Sequence, residues 1–271
     1  MYKKCPYCEK EYPEVSRYCP YCGSPNPSYK PKEDPKMDYR RQLLLFVVGF
    51  IGFQIIGTLL QFVFLFVGKA NFGSDQNAIL KYLYSAPVSM FVNSVTYCIV
   101  FCLLLFVSKP GLSGLFKSFK NKRSYLGVII AIAIIYSFNI FYGIILSLTG
   151  AKVVDNNNQE SLESVITIYP IISLIVFGII GPACEELTYR VGLFDLLKRK
   201  NRLLAFFLTI IIFTLIHFDF GSSTMVNELL NIPYYAAAAF AFTYVYDQYG
   251  LSASLTAHII NNMFSIIVSI I

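Results

Sequence analysis

Seven apolar runs of spanning length leave a chain of this kind little choice of fold. They cover residues 43–67, 87–107, 125–148, 165–184, 203–218, 232–246 and 251–271, and a helix of about 17–25 apolar residues crosses the hydrocarbon of a bilayer. No water reaches backbone N–H and C=O groups there, so each run must satisfy its own as a helix. The sixth run is short. The expectation is an all-α polytopic membrane protein with about seven transmembrane helices, six or eight also being compatible. Composition agrees, because only 14% of the 271 residues are charged and 56% are hydrophobic, with mean hydropathy +0.58, whereas a soluble domain carries about 25% charged residues. No cleavable signal peptide is read at the N-terminus, which opens on a polar cysteine cluster.

The net charge of +6 is unevenly placed. Lys36, Arg40 and Arg41 precede the first run, Lys109, Lys117, Lys120, Lys122 and Arg123 fill the second connection, and Lys198, Arg199, Lys200 and Arg202 fill the fourth. The intervening connections carry Asp75, Asp155, Glu160, Glu163, Asp219 and Glu228, opposed by Lys69, Lys81 and Lys152. By the positive-inside rule this pattern sets a multi-pass protein in the cell membrane with its N-terminus in the cytoplasm. The basic connections suit juxtamembrane anchoring to the lipid bilayer, and no nucleic acid is expected as a partner.

Ahead of the membrane runs, Cys5-Pro6-Tyr7-Cys8 and Cys19-Pro20-Tyr21-Cys22 form two CxxC knuckles, the second followed by Gly23. Four thiolates at this spacing suit a tetrahedral Zn²⁺, making residues 1–24 a small zinc ribbon with Cys5, Cys8, Cys19 and Cys22 as ligands. A pair of disulfides is the alternative, opposed by a reducing cytoplasm. So short a unit depends on its metal to fold. Four thiolates leave no open coordination position, so the zinc is expected to be structural and the ribbon to dock a cytoplasmic protein partner. Residues 25–41, rich in proline and charge, read as an extended linker, and 42–271 as the membrane domain.

Inside that domain the rare ionisable residues are the clue to function, because such groups are costly in hydrocarbon and mark pathways or chemistry. Glu185 and Glu186 adjoin near the end of the fourth run, after Pro182, and Arg190 follows four residues beyond Glu186, on the same helical face. A proline within a helix frees a carbonyl and can open room for water. Glu186 paired with Arg190 would stay ionised, leaving Glu185, about 100° around the helix, for proton-accepting work. The two histidines, His217 and His258, lie in the fifth and last runs. Counted from the basic turn near residue 200, Glu186 and His217 lie about 21 Å and about 25 Å along antiparallel arms, at similar depth. His258 and Asn262 are four apart and would present two donors side by side, suited to an oxyanion. Cys98, Cys102 and Cys184 read as packing residues.

Other catalytic signatures fail. HExxH is absent, as are paired aspartates in two runs, and Gly111-Leu112-Ser113-Gly114 lies in a Lys-rich connection with no histidine near it.

The ordered trio EExxxR (Glu185, Glu186, Arg190), FxxxH (Phe213, His217) and HxxxN (His258, Asn262) resembles the CPBP family, the CAAX proteases and bacteriocin-processing enzymes also called Abi. The resemblance covers about residues 165–271. It implies an intramembrane endopeptidase acting on a peptide or membrane-protein substrate, placed here near the cytoplasmic face. In it Glu185 and His217 would activate water, His258 and Asn262 would hold the oxyanion, and Glu186 and Arg190 would brace the site. The family is described both as glutamate-dependent and as metal-dependent; the metal-free form is preferred, because a metal on His258 would remove an oxyanion donor. A non-catalytic binding or bacteriocin-immunity protein is the alternative, and a proton-coupled transporter is disfavoured by the absence of a repeat of the spans.

Overall fold

The computed structural model describes residues 2–13, 19–24, 26–27, 37–117, 119, 121–150 and 157–270. The chain divides into two compact units, Met1–Lys36 and Met37–Ile271. Most of the expected linker, and Asp155 among the expected acidic loop residues, lie outside the described residues.

In the first unit, strand β1 (Tyr2–Lys4) pairs antiparallel with β2 (Glu11–Pro13), Lys3 opposite Tyr12. The two CxxC segments fold alike. Cys5 N–H donates to Lys10 O at 3.0 Å and Glu9 N–H to Cys5 O at 2.9 Å; Cys19 N–H donates to Ser24 O and Gly23 N–H to Cys19 O, both at 2.9 Å. The residue after each knuckle turns through positive φ, 61° at Glu9 and 69° at Gly23. Glycine meets that geometry without cost in the second knuckle, while Glu9 carries it in the first.

Among the described residues the second unit has ten helices: α1 (Tyr39–Phe72), α2 (Gln76–Leu83), α3 (Ala86–Ser108), α4 (Leu112–Lys117), α5 (Arg123–Leu148), α6 (Asn157–Ile166), α7 (Pro170–Lys198), α8 (Arg202–Leu215), α9 (Met225–Tyr249) and α10 (Leu251–Ile270). Five of these, α1, α3, α5, α7 and α10, are long and apolar enough to cross a membrane, and α8 is a shorter apolar helix. The expected runs fall largely on helices, so the second unit is all-α and polytopic, and a four-cysteine cluster lies in the first. Three boundaries move. The first helix starts at Tyr39, inside the expected linker, with Asp38 capping it through Arg41 N–H at 2.9 Å. The fourth continues to Lys198, so the glutamate doublet sits mid-helix rather than near an end. The sixth starts at Met225 and tolerates Pro233 within it.

Packing follows residue size. Leu45, Val100, Leu104, Leu187, Phe194 and Leu251 bury one core among α1, α3, α7 and α10. Ala131, Ala241, Ala253 and Ala257 make a second, where α5, α9 and α10 approach closely. Gly49 on α1 permits the same against α7, since a Cβ there would stand 1.8 Å from Thr188 Oγ1.

The basic residues gather at one end of this bundle. Arg41 donates to Val107 O, Arg199 to Gln42 Oε1 and Met37 O, and Lys198 and Arg202 both grip Asp247. Those contacts join the start of α1, the end of α3, the α7–α8 turn and the end of α9.

Candidate functional site

The middle of α7 departs from α-helical winding. Val176–Ile180 and Glu186–Phe194 are wound as π-helix, with a short α segment, Gly181–Glu185, between them. Pro182 explains part of this. Gly181 N–H donates to Val176 O, five residues back, so the next bond in that register would join residue 182 to Phe177 O. Proline has no N–H to give. Asn262 Nδ2 takes its place, donating to Phe177 O at 3.2 Å from α10.

The two carboxylates of the doublet divide. Glu186 is fully buried and meets Arg190 Nη1 at 3.2 Å. The guanidinium is sandwiched by rings, 4.5 Å from the Phe213 centroid and 5.6 Å from Phe242. His258 completes the cluster: its Nδ1 stands 2.9 Å from Glu186 Oε1 and its Nε2 3.6 Å from Glu185 Oε2, with its face stacked on Phe242 at 4.3 Å. Glu185 alone of the doublet retains exposure, 14% of its side chain.

That exposure is to a cavity of about 780 Å³ whose walls include Tyr97, Phe177, Glu185, Tyr189, His217 and Asn262, a volume typical of small-ligand sites. His217 reaches it from beyond the end of α8, in the turn after Leu215 rather than on a helix as expected. His217 Nδ1 lies 2.8 Å from Phe213 O. A carbonyl only accepts, so Nδ1 carries the proton and Nε2 of the neutral ring is an acceptor. Tyr235 stacks on the ring at 4.6 Å.

The six expected residues therefore converge, but in two layers. Glu185, His217 and Asn262 line the cavity; Glu186, Arg190 and His258 form a sealed cluster behind Glu185. His258 and Asn262 share a helix but do not present donors side by side: one faces the carboxylates and the other caps Phe177.

Residues 167–264 match the family model for type II CAAX prenyl endopeptidase Rce1-like proteins. This region is similar to that family. The Rce1-like stretch contains all six of those residues, and the resemblance to the CPBP family is consistent with it. Curated relatives are distant: UPF0177 protein YvdC of Lactococcus lactis subsp. lactis is 23% identical over 54% of this chain and 53% of its own. An uncharacterized protein of Mycoplasma capricolum subsp. capricolum is 27% identical over 57% of this chain and 47% of its own. The chain thus spans about half the length of the curated relatives it matches. No solved structure matches it.

Sequence reading missed several supports of this site. Glu228 reads as a loop charge, yet it is buried and its Oε2 accepts Asp219 N–H at 3.1 Å, tying the loop after His217 to α9. Phe242 and Tyr235 read as ordinary apolar spacing on a span, and nothing in that spacing marks them as the rings beneath the two histidines.

In the first unit the four Sγ atoms lie within 4.8 Å of one another, with Cys5–Cys22 at 3.6 Å and Cys8–Cys19 at 3.7 Å. Zn–S bonds of about 2.3 Å at tetrahedral corners demand edges of roughly 3.8 Å, so the donor set fits a metal ion such as zinc. The Ser24 hydroxyl, 3.1 Å away, and its backbone N–H lower the Cys22 thiol to about 6. At Cys8 a backbone hydrogen bond at Lys10 lowers the thiol, but burial and the neighbouring Cys22, Cys5 and Cys19 sulfurs outweigh it and push it up to about 12.

Proposed function

We propose that the protein is an intramembrane endopeptidase that hydrolyses a peptide bond of a peptide or membrane-protein substrate. One observation carries this reading: Glu185, His217 and Asn262, from α7, the turn after α8, and α10, line a single cavity although they lie far apart in the chain. The Rce1-like match supports the same class of reaction.

In the proposed mechanism Glu185 accepts a proton from a water molecule in the cavity as its oxygen attacks the scissile carbonyl. His217 Nε2, an acceptor in the neutral ring, takes the second proton of that water and passes it to the departing amine; Glu185 then gives its own proton to the freed amine, so that a carboxylate and an ammonium leave and the carboxylate base is restored. The second amide hydrogen of Asn262 meets the oxyanion, its first being held by Phe177 O. His258 acts through Glu185 and Glu186, holding the two carboxylates apart in fixed positions. Arg190 pairs with Glu186 and so keeps His258 oriented.

The metal-free form suits this donor set. Both ring nitrogens of His258 are turned to carboxylates. Zinc is assigned to Cys5, Cys8, Cys19 and Cys22 as a structural ion, with the ribbon docking a cytoplasmic protein.

With the N-terminus cytoplasmic, the basic end of the bundle is the cytoplasmic end. The cavity also takes in Gln61 of α1, Leu83 at the end of α2 and Tyr84 after it, and Val88 and Ser89 of α3, which lie toward the other end. On that orientation we read the cavity as opening toward the opposite face, with hydrolysis near the cytoplasmic face remaining the expectation from sequence. A membrane-impermeant thiol reagent tests this on a Gln61→Cys variant in sealed, right-side-out cells: labelling from outside is expected, and labelling only after lysis overturns the placement. Hydrolysis itself is tested by Glu185→Gln, which is expected to abolish cleavage while the detergent-purified protein elutes as the wild type does.

A further inference from the structure

The cavity has a second wall that the catalytic reading leaves unused. Gln54, Thr58 and Gln61 recur along one face of α1 at helical spacing, and Ser89, Asn93 and Thr96 do the same on α3. All six line the cavity that holds Glu185. Their helices are otherwise strongly apolar, and carboxamides are rare in such surroundings without a partner. Gln54 and Gln61 are exposed and make no hydrogen bond to another described residue, Asn93 Nδ2 donates to Ser89 O at 2.9 Å, and Thr96 Oγ1 is buried at 5% residue exposure with no hydrogen-bond partner among the described residues.

We propose that this wall is the subsite that binds the main chain of an extended substrate segment, feeding its scissile bond to Glu185; the proposal rests on the peptidase reading above. A membrane-spanning substrate arrives as a helix, with every amide bonded within itself. Hydrolysis needs one carbonyl exposed, so about a turn must unwind, leaving several N–H and C=O groups without partners in a medium that penalises each. A ladder of carboxamides and hydroxyls offers both donors and acceptors to those groups. It contacts no side chain by charge, so the substrate class it selects is an apolar, easily unwound peptide segment, recognised by its backbone.

The probe is a set of fluorescein-labelled ten-residue apolar peptides, each made with ordinary amides and with its three central amides N-methylated. Binding is read by anisotropy on the full chain carrying Glu185→Gln in nanodiscs, so turnover is not required. Ordinary peptides are expected to bind, and N-methylation to weaken them about tenfold. Gln54→Leu with Gln61→Leu is expected to weaken the ordinary peptides to the same level and to leave the methylated ones unchanged; Thr96→Val gives a smaller loss in the same direction. Equal binding of the two peptide forms, insensitivity to these variants, or absence of binding overturns the proposal. A cleavage arm uses the same variants with Glu185 intact: a raised KM at unchanged kcat supports the subsite. A lowered kcat at unchanged KM marks the wall as a water path and overturns it. Peptides that bind in this manner but are never cut leave the subsite standing and sink the peptidase reading.

Discussion

Asn262 Nδ2 donates to Phe177 O at 3.2 Å, across 85 residues of sequence, where Pro182 has no N–H to offer. The side chain thereby stabilises the π-wound backbone that presents Glu185. Removing it leaves a carbonyl without its partner in an apolar setting, at a cost of about 1–3 kcal/mol. Asn262→Leu is therefore expected to lower the unfolding temperature in detergent. Adding Pro182→Ala, which restores an N–H at residue 182, is expected to recover stability without recovering cleavage. An Asn262→Leu protein as stable as wild type would show that the bond supports nothing.

Glu186, Arg190 and His258 form a buried charged cluster, and breaking such a cluster by one member costs more than removing the charges together. Arg190→Met is expected to destabilise the protein by about 3–5 kcal/mol. Glu186→Gln combined with Arg190→Met is expected to recover much of that loss. Chemical denaturation of the single and double variants reads the difference; simple additivity of the two substitutions contradicts the pairing seen at 3.2 Å.

Glu228 holds Asp219 N–H and with it the loop that follows His217. Misplacing a catalytic group by about 1 Å can cost roughly a hundredfold in rate. Glu228→Ala is expected to reduce kcat between ten- and a hundredfold with little change in KM. Glu228→Gln keeps an acceptor oxygen and should retain most activity, which a purely electrostatic role for the carboxylate would not allow.

Zinc binding to the ribbon carries a pH dependence whose sign follows from its thiols. Cys22 lies at about 6 and is largely thiolate at neutral pH. Cys8, pushed up to about 12, is protonated there and must release its proton to bind metal. Affinity should therefore rise with pH above neutrality and fall further as pH drops through 6, where Cys22 also protonates. Competition with a chromophoric chelator measures it. Deleting residues 1–30 should abolish one equivalent of zinc and leave intrinsic peptide hydrolysis intact; loss of hydrolysis in a folded truncation would contradict a docking role for the ribbon.

The helices were legible because their cause is local: long apolar runs must be helical in hydrocarbon, and the expected runs fall largely on helices of the bundle. The Glu186–Arg190 pair was legible for the same reason, since a four-residue spacing brings the two onto one face. Two things were not. The π-winding depends on Pro182 together with an amide from α10, and no spacing within α7 announces a partner from another helix. The turning of His258 toward both carboxylates likewise depends on Phe242 of α9 holding its ring. A motif written HxxxN places two residues on one face but says nothing of which neighbour each one meets.

The central claim is that Glu185 performs hydrolysis at the cavity it shares with His217 and Asn262. Comparative membrane peptidomics of cells carrying the wild type or Glu185→Gln tests it most directly. The expected result is a set of cleaved membrane peptides present with the wild type, replaced by their uncut precursors with the variant at equal protein abundance. Identical peptide populations in the two strains would contradict the account.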